Sequence, residues 1–278
     1  MKNVKFSILL LPLAAAVVGL AVWGPEALAQ YRDQGILDQV RIQEVDTTET
    51  EGYRYSLSGN EKLYILSKCL NSQTLPESEQ SAMTRTDPAN LNYEELTGSY
   101  AFVENRKDSS GKEIPASAGI ELCNQGIQEL QKLGILPEAI RTLTESTYSA
   151  VMYSAIDVPE PRNNVLVWKI SLSTKKQNAD KRNRLLDAYV DADTGKIYEF
   201  YARVDFSSWD DVDADEIVET WAEYMGLGKP REYEEVNPLS ETTPYFKKFS
   251  FSGMEEGNTI VTVGFYEGIN ELFLKISR

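Results

Sequence analysis

The sequence predicts an α+β protein in which each helix is followed by antiparallel strands, and three observations support that prediction. Apolar and polar residues alternate along much of 165–204, which is the period of half-buried strands. Between 116 and 133 the apolar residues recur every three or four positions, which is the period of an amphipathic helix. The order of helix and then strands repeats along the chain, so we expect repeated units, each with a helix packed on a curved sheet.

The N-terminus predicts export. Residues 6–23 are 18 consecutive uncharged, mostly apolar positions, preceded by Lys2 and Lys5. A run of this length can span a membrane, and flanking lysines favour a cytoplasmic N-terminus. We therefore expect a transmembrane anchor or signal peptide over 1–29, with the following domain outside the cell membrane. The alternative is cleavage after Ala29, in an A-x-A pattern, which would release a secreted protein.

A polar stalk is predicted over 30–50, followed by a first α+β unit over 51–110. This unit begins with a predicted strand at 53–57. Ser58 and Glu61 then have the spacing of a capping box, and helical spacing continues through Leu70. A long polar loop is expected over 71–92, and a second strand over 99–103.

The second predicted unit covers 111–206. Its helix begins near Ala116 and should end at Gly134, a residue type that suits a helix C-terminus. Pro137 predicts another short helix through Leu143. Four strands follow, over 147–158, 165–172, 185–190 and 197–204. The segment 191–195 has the chemistry of a plain turn, because aspartate binds nearby backbone amides and glycine accepts positive φ.

The third predicted unit covers 207–278. Asp213, Asp215 and Glu216 suit the start of a helix, where negative charge interacts favourably with the helix dipole. Gly226 is the expected C-cap. A loop rich in Pro and Glu comes next, and strands are expected over 245–251, 259–266 and 272–276.

Composition excludes several classes of function. Without Lys2, Lys5 and Glu26, the exported part has 26 basic and 42 acidic side chains and a net charge of −16. Nucleic acid and anionic lipid head groups are therefore disfavoured partners. The chain has no histidine, which removes Ser-His-Asp and Cys-His catalysis and histidine zinc sites. Cys69 and Cys123 allow either one disulfide or two buried thiols.

Candidate chemical motifs are weak, so we predict no catalytic, cofactor-binding or metal-binding residues. The segment from Asp211 to Asp215 opens like a calcium loop, but Glu216 replaces the required glycine and Ala222 the required glutamate. An acidic helix start is the better interpretation. Serine and lysine occur together at Ser171, Ser173, Lys175 and Lys176, which we interpret as a strand end with a basic loop rather than as a catalytic dyad.

Two surface features leave a binding role open. Five tyrosines lie on predicted neighbouring strands, where they favour cross-strand pairing in the sheet or an open face for a peptide: Tyr148, Tyr153, Tyr189, Tyr198 and Tyr201. Five basic residues cluster in one hairpin loop, either as a solvated tip or as a contact for an anionic partner: Lys175, Lys176, Lys181, Arg182 and Arg184.

The stretch 165–204 resembles a PepSY-type hairpin, in which a strand with a tryptophan precedes a Val-Asp-Ala-x-Thr-Gly-x-Ile turn. The matching residues are Trp168, Val190, Asp191, Ala192, Thr194, Gly195 and Ile197. The layout is similar to membrane-anchored exported proteins of Gram-positive bacteria with PepSY-like or cystatin-like α+β repeats. The third unit lacks this turn.

The resemblance implies a non-catalytic extracytoplasmic binding or regulatory protein, tethered to the membrane, without a cofactor. Its partner would be a membrane or envelope protein such as a sensor kinase, a protease or a wall enzyme. One alternative is an exported cell-wall enzyme that uses paired carboxylates, which the abundance of Asp and Glu allows. Another is a secreted module similar to peptidase inhibitors.

Overall fold

The computed structural model describes residues 54–72, 98–107, 111–173, 184–233, 245–254 and 257–277. All of them belong to one compact unit, Thr47–Arg278. The predicted anchor or signal, the stalk, most of the predicted loop at 71–92 and the basic residues at 175–182 lie outside the described residues. Among the described residues, no helix is long and apolar enough to cross a membrane.

The described residues form an α+β fold of helices and antiparallel strands, as the sequence predicts; there are three α-helices among them, and the strands form one sheet rather than a separate sheet in each unit. The helices are α1 (Gly59–Ser72), α2 (Ala116–Lys132) and α3 (Ala214–Met225). The strands are β1 (Tyr100–Asn105), β2 (Tyr148–Asp157), β3 (Asn164–Leu172), β4 (Leu185–Asp191), β5 (Ile197–Arg203), β6 (Arg231–Glu232), β7 (Phe246–Ser252), β8 (Asn258–Tyr266) and β9 (Glu271–Ser277).

All nine strands belong to a single sheet in the order β1-β2-β3-β4-β5-β9-β8-β7-β6. Neighbours in the first half of the chain are joined by successive hairpins, because β2 to β5 follow one another in both sequence and space. The two halves meet where β5 pairs with β9 over Phe200–Arg203. We call this junction the seam. The sheet is therefore continuous from β1 at one edge to β6 at the other.

Helices α1 and α2 pack on opposite faces of the first three strands. The ring of Tyr64 on α1 contacts the ring of Tyr100 edge-on, with 6.4 Å between the centroids. Gly119 on α2 lies against Trp168, so closely that a Cβ would stand 2.5 Å from the indole. The strand register places Tyr100 and Trp168 on opposite faces, because side chains alternate along each strand.

Helix α3 packs on the second half of the sheet and also contacts β5, one of the two strands of the seam. Trp221 is fully buried and meets Phe251 of β7 edge-on, with ring centroids 6.0 Å apart. Its indole N–H donates to the carbonyl of Ile197 at 3.0 Å, and the hydroxyl of Tyr224 accepts from the amide of Ile197 at 3.0 Å. Side chains of α3 thus satisfy the backbone of β5 at Ile197, outside its pairing with β9.

The helix ends follow the predicted local chemistry. Glu61 accepts from the Ser58 amide at 2.7 Å, and the Ser58 hydroxyl accepts from the Glu61 amide at 3.4 Å, which confirms the capping box. Asp213 caps α3 by accepting from the Glu216 amide at 3.0 Å. Gly226 has the expected left-handed conformation with φ 73°, and Gly134 follows α2 with φ 76°.

Two predicted elements are wrong. Residues 54–57 form irregular chain rather than a strand: Arg54 reaches Asp193, and the Tyr55 amide donates to the Arg162 carbonyl at 3.0 Å. Residues 137–143 form a turn at 138–140 and otherwise irregular chain rather than a helix. Side chains of α2 occupy the backbone groups that a helix would need. The Gln131 amide donates to the carbonyls of Pro137 and Ile140, and the Asn124 side chain binds both the N–H and the C=O of Leu143.

One strand was not expected. Within the predicted Pro- and Glu-rich loop, Arg231 and Glu232 form β6 and pair with Ser250 and Phe249 of β7. Two residues are too short a run for period-2 alternation to reveal. The strand is specified by its partner rather than by its own sequence.

Candidate functional site

A stack of three aromatic rings lies across the seam. Phe273 of β9 stacks on Tyr201 of β5, with ring centroids 5.7 Å apart, and on Tyr266 of β8, with centroids 4.9 Å apart. Tyr266 remains 53% exposed, so the stack ends at the surface. We call this surface, together with the carboxyl groups of Asp187, Glu199 and Glu271, the acidic aromatic face.

The stack depends on a glycine opposite Phe273. The register pairs Gly264 of β8 with Phe273 of β9. A Cβ at Gly264 would stand 2.3 Å from the Phe273 ring, which is closer than side-chain atoms can approach. The missing side chain therefore lets the Phe273 ring lie over the backbone of β8, where it reaches Tyr266. Gly264 therefore provides the space that the Phe273 ring occupies.

Three carboxyl groups surround the Tyr201 end of the stack. Strand pairing places Asp187 opposite Tyr201, while Glu199 precedes Tyr201 by two residues on the same face. Burial raises the pKa of the Tyr201 hydroxyl, and the negative charges of Glu199, Glu271 and Asp187 raise it further. These charges act on one phenol, so the three carboxyl groups share one electrostatic environment.

The environment of all three carboxyl groups disfavours their ionised form. Burial is the main cause in each case: it raises the pKa of Glu199 from 4.5 to about 7 and raises the pKa of Asp187 and Glu271. The charge of Asp187 adds to the shift at Glu199 and at Glu271. Lys169, Lys275 and Arg203 offset part of these shifts without reversing them.

Glu199 also takes part in the seam itself. It is 7% exposed, and its carboxyl oxygen accepts from the amide of Ile276 on β9 at 2.9 Å. This contact lies beyond the ladder between β5 and β9, which begins at Phe200. The Ile276 amide has no carbonyl acceptor on β5, and the carboxyl group of Glu199 accepts its hydrogen bond instead. A titratable group with a pKa of about 7 therefore joins the two halves of the sheet.

The segment 191–195 is a turn, as predicted, with Gly195 at φ 72°. One oxygen of Asp191 accepts from the amides of Asp193 at 2.9 Å and Thr194 at 2.8 Å. The other oxygen accepts from Lys62 of α1 at 3.0 Å and from the Tyr198 hydroxyl at 2.7 Å.

Asp191 is 2% exposed, and although burial raises its pKa, the bonds from Tyr198 and Lys62 lower it more. The turn thus anchors α1 to the sheet.

The five predicted tyrosines have different roles. Tyr148 is buried and donates to the Leu185 carbonyl at 2.9 Å, and Tyr198 bonds to Asp191. Tyr153 stacks on Phe102 with centroids 4.5 Å apart, and Tyr189 meets the same ring at 6.3 Å. Cross-strand aromatic packing therefore accounts for Tyr153 and Tyr189, and Tyr201 alone of the five belongs to the acidic aromatic face.

The other candidate motifs have ordinary partners where they are described. Asp211 accepts from the Ser207 and Ser208 amides, which lowers its pKa. Asp213 caps α3, and Asp215 binds Lys247 at 2.9 Å. The described residues contain no cluster of three or more potential metal ligands. Of the basic loop, Arg184 is described and pairs with Asp205 at 2.6 Å.

The two cysteines are free and buried. Cys69 lies on α1 and donates to the Ala101 carbonyl at 3.3 Å, whereas Cys123 lies on α2. Burial raises the pKa of Cys69 to about 12 and raises the pKa of Cys123 as well. Both thiols are therefore inert, apolar core groups, in line with the second of the two sequence alternatives.

Sequence reasoning did not find Asp187, Glu199, Tyr266, Glu271 or Phe273 as site residues. A weak local signal was available: Glu199 lies between Phe200 and Tyr198 in an apolar strand, where a carboxylate is uncommon. The ring contacts, in contrast, join residues whose strands pair only in the folded sheet.

The chain matches no known protein family, and neither curated proteins nor solved structures provide a match. The PepSY-like resemblance therefore stays a prediction from the residues that support it.

Proposed function

We propose that this protein is a non-catalytic extracytoplasmic binding and regulatory protein, tethered to the membrane through residues 1–29. It binds a membrane or envelope protein and modulates it, with a sensor kinase, a protease or a wall enzyme as the candidate classes. The observation that supports this proposal is the acidic aromatic face, where a ring stack that reaches the surface at Tyr266 adjoins three carboxyl groups with raised pKa values.

The chemistry of the face favours a basic partner segment. A lysine or arginine side chain over Tyr201 or Tyr266 would interact with the ring face and with the adjacent carboxylates at the same time. It would also offset the negative charge of Asp187, which adds to the effect of burial in raising the pKa values of Glu199 and Glu271 in the free protein. Aromatic residues supply contact area at low entropic cost, as in many protein interfaces.

The predicted export signal supports a location of this face outside the cytoplasm. With residues 6–23 retained in the cell membrane, the domain would meet its partner at the external face of that membrane. The predicted stalk over 30–50 would set its distance from the membrane. Mass spectrometry of the mature N-terminus tests the tether: a terminus at Gln30 in the soluble fraction would contradict it, whereas an intact N-terminus in the membrane fraction supports it.

Site-specific photocrosslinking in the native host tests the binding face. A photoreactive phenylalanine analogue at Tyr266 should crosslink to a membrane or envelope protein through a segment rich in lysine and arginine. The same analogue at Tyr233, another exposed tyrosine, is the matched control and should give no such product. Crosslinked segments are identified by mass spectrometry.

Charge variants sharpen this test. Asp187→Asn removes one carboxylate of the acidic aromatic face, while Asp210→Asn removes an exposed carboxylate elsewhere. We expect the first variant to reduce crosslinking at position 266 several-fold and the second to leave it unchanged. Equal crosslinking at positions 266 and 233, or a partner segment without basic residues, would contradict the proposal.

A second candidate is an exported enzyme that hydrolyses wall polysaccharide through carboxyl groups, and one observation favours it. The pKa of Glu199, raised to about 7, would suit a general acid, with Asp187 as a nearby second carboxyl group. Binding remains the preferred function because these groups lie on a sheet face rather than across a substrate cleft. Hydrolysis of purified wall polysaccharide by the wild-type protein but not by Glu199→Gln would reverse this preference.

A further inference from the structure

A polar cleft of about 300 Å³ lies at the other end of the sheet, between the N-terminus of α1 and strands β6 to β8. The side chains that line it are Asn60, Lys229, Arg231, Ser250, Ser252 and Asn258. Two of them are cationic, four are neutral and polar, and none carries a carboxylate. In a chain with a net charge of −15, this local excess of positive charge is the reverse of the overall composition.

Strand register explains why the donors converge. Arg231 pairs with Ser250, and Ser252 pairs with Asn258, so these four side chains lie on one face of β6, β7 and β8. Asn60 fixes the wall of the cleft, because its amide donates to the Ser252 carbonyl at 2.8 Å and its oxygen accepts from the Gly228 amide at 3.3 Å.

The two cations are left unpaired by the arrangement around them. Glu232 follows Arg231 and therefore points to the opposite side of β6, where it binds Lys247 at 3.4 Å. Lys247 also binds Asp215 at 2.9 Å, so the carboxyl groups of Glu232 and Asp215 are both engaged by Lys247. Among the described residues, neither Lys229 nor Arg231 has an ion-pair partner. The hydroxyls of Ser250 and Ser252 and the amide of Asn258 likewise have no bonded partner there.

From this geometry we propose that the cleft binds a phosphate group carried by a small molecule or a lipid head group. The guanidinium of Arg231 can bind two oxygens side by side, and Lys229 adds a second point charge. The two hydroxyls and the Asn258 amide supply further donors. A carboxylate has two oxygens and one charge, which leaves some of these donors without an acceptor, whereas a phosphate monoester has three terminal oxygens and up to two charges. The volume is at the low end for small-molecule sites, which suits a phosphate with a short appendage.

The site is independent of the acidic aromatic face, and so is its test. Binding of inorganic phosphate is measured by calorimetry and by amide NMR shifts at Gly228 and Lys229, at physiological salt. We expect the double variant Lys229→Gln/Arg231→Gln to bind at least tenfold more weakly than wild type. The matched control Lys132→Gln/Arg141→Gln removes the same charge from exposed positions outside the cleft and should change the affinity less than twofold.

Two further probes assign the source of the phosphate. Tighter binding of glycerol 3-phosphate than of inorganic phosphate indicates a free phosphorylated molecule. Sedimentation with phosphatidic acid vesicles but not with phosphatidylcholine vesicles, lost in the cleft variant, indicates a lipid head group. Either result supports the proposal. Absence of binding to all three probes, equal loss in the two double variants, or acetate bound as tightly as phosphate would overturn it.

Discussion

At the scale of single residues, Glu199 is a buried carboxyl group whose pKa lies well above its ordinary value. Burial raises its pKa to about 7, although the Ile276 amide and Lys275 favour its charged form. Its other charged neighbours are Lys169 on β3 and Asp187 on β4. The carboxyl group accepts a hydrogen bond that holds the two halves of the sheet together, and near neutral pH it does so half-ionised.

This environment predicts a pH dependence of stability. The folded-state pKa lies above the ordinary 4.5, so the folded protein holds a proton that the unfolded chain has released between pH 4.5 and 7. The resulting stabilisation is complete below pH 4.5 and is lost as pH rises through 7, by about 3 kcal/mol. Urea unfolding from pH 4.5 to 8 should show this loss in wild type.

Glu199→Gln should remove most of that slope, because glutamine keeps the acceptor for the Ile276 amide and does not titrate. Glu219→Gln, at an exposed position of α3, is the control and should keep the wild-type slope. Parallel pH profiles for wild type and Glu199→Gln would show that Glu199 does not cause the dependence.

Asp191 is the opposite case, a buried carboxylate kept charged by Lys62 and Tyr198. Asp191→Asn leaves Lys62 without its buried counter-charge and should destabilise the protein by about 3 kcal/mol at pH 7. The loss should shrink as pH falls below about 4, because the lowered pKa of Asp191 stabilises only where the carboxylate is ionised. Denaturant midpoints at pH 7 and pH 3 measure both effects.

Asp193→Asn is the matched control, two residues away on the same turn. Asp193 pairs with Arg54 at 3.2 Å and with Lys62 at 3.5 Å, but it is 42% exposed and solvent screens both pairs, so its loss should cost well under 1 kcal/mol. Similar losses for Asp191→Asn and Asp193→Asn would mean that the turn, rather than the buried ion pair, is what both substitutions disturb.

At the scale of elements, local patterns predicted what local chemistry determines. The capping box at Ser58, the N-cap at Asp213 and the left-handed Gly226 each depend on neighbours within a few residues, and all three are confirmed. The strand at 53–57 and the helix at 137–143 were wrong because distant side chains outweigh local preference there. Lys62 and Asp191, which are 129 positions apart, could not be paired from sequence.

The strands of the acidic aromatic face show the same division. Alternation predicts β5, β8 and β9 individually, but it does not show that β5 and β9 are neighbours. Without that pairing, Tyr201 and Phe273 belong to different predicted units, and the three carboxyl groups are scattered in sequence. A candidate site formed across the seam therefore cannot be predicted from the alternation within each strand.

The ring stack makes a prediction about β8. Gly264→Ala would place a Cβ 2.3 Å from the Phe273 ring, so the ring must move and its contacts with Tyr201 and Tyr266 must change. We expect a loss of about 2 kcal/mol, as for other overpacked sites, together with weaker near-ultraviolet circular dichroism from the tyrosines. Crosslinking at position 266 should fall as well.

Gly268→Ala is the control for that substitution. Gly268 lies in the short 3₁₀ turn Glu267–Ile269, between β8 and β9, and a Cβ there would meet nothing within 4 Å. Its replacement should change stability by less than about 0.5 kcal/mol. A neutral Gly264→Ala would show that the Phe273 ring does not need the space over β8.

At the scale of the whole molecule, one sheet joins segments that sequence patterns describe as separate units. A common core links them: α1 contacts β1, β2 and β3 as well as β8 and β9. Side chains of α3 complete the backbone bonds of β5. Such sharing of contacts between the two halves favours a single cooperative unfolding transition.

The two cysteines can test this cooperativity without any substitution. Cys69 lies on α1 and Cys123 on α2, on opposite faces of the first three strands, and both are buried. Burial raises the pKa of Cys69 to about 12, and that of Cys123 upward too, so neither should react with iodoacetamide at pH 8 while folded. Both should become reactive at the same urea concentration, and that concentration should match the midpoint measured by circular dichroism.

Peptide mass spectrometry follows each cysteine separately, with the fully denatured protein as the control for intrinsic reactivity. Labelling of Cys69 at clearly lower urea than Cys123 would mean that α1 detaches before the sheet unfolds, and the two halves would then be linked less tightly than their shared core implies.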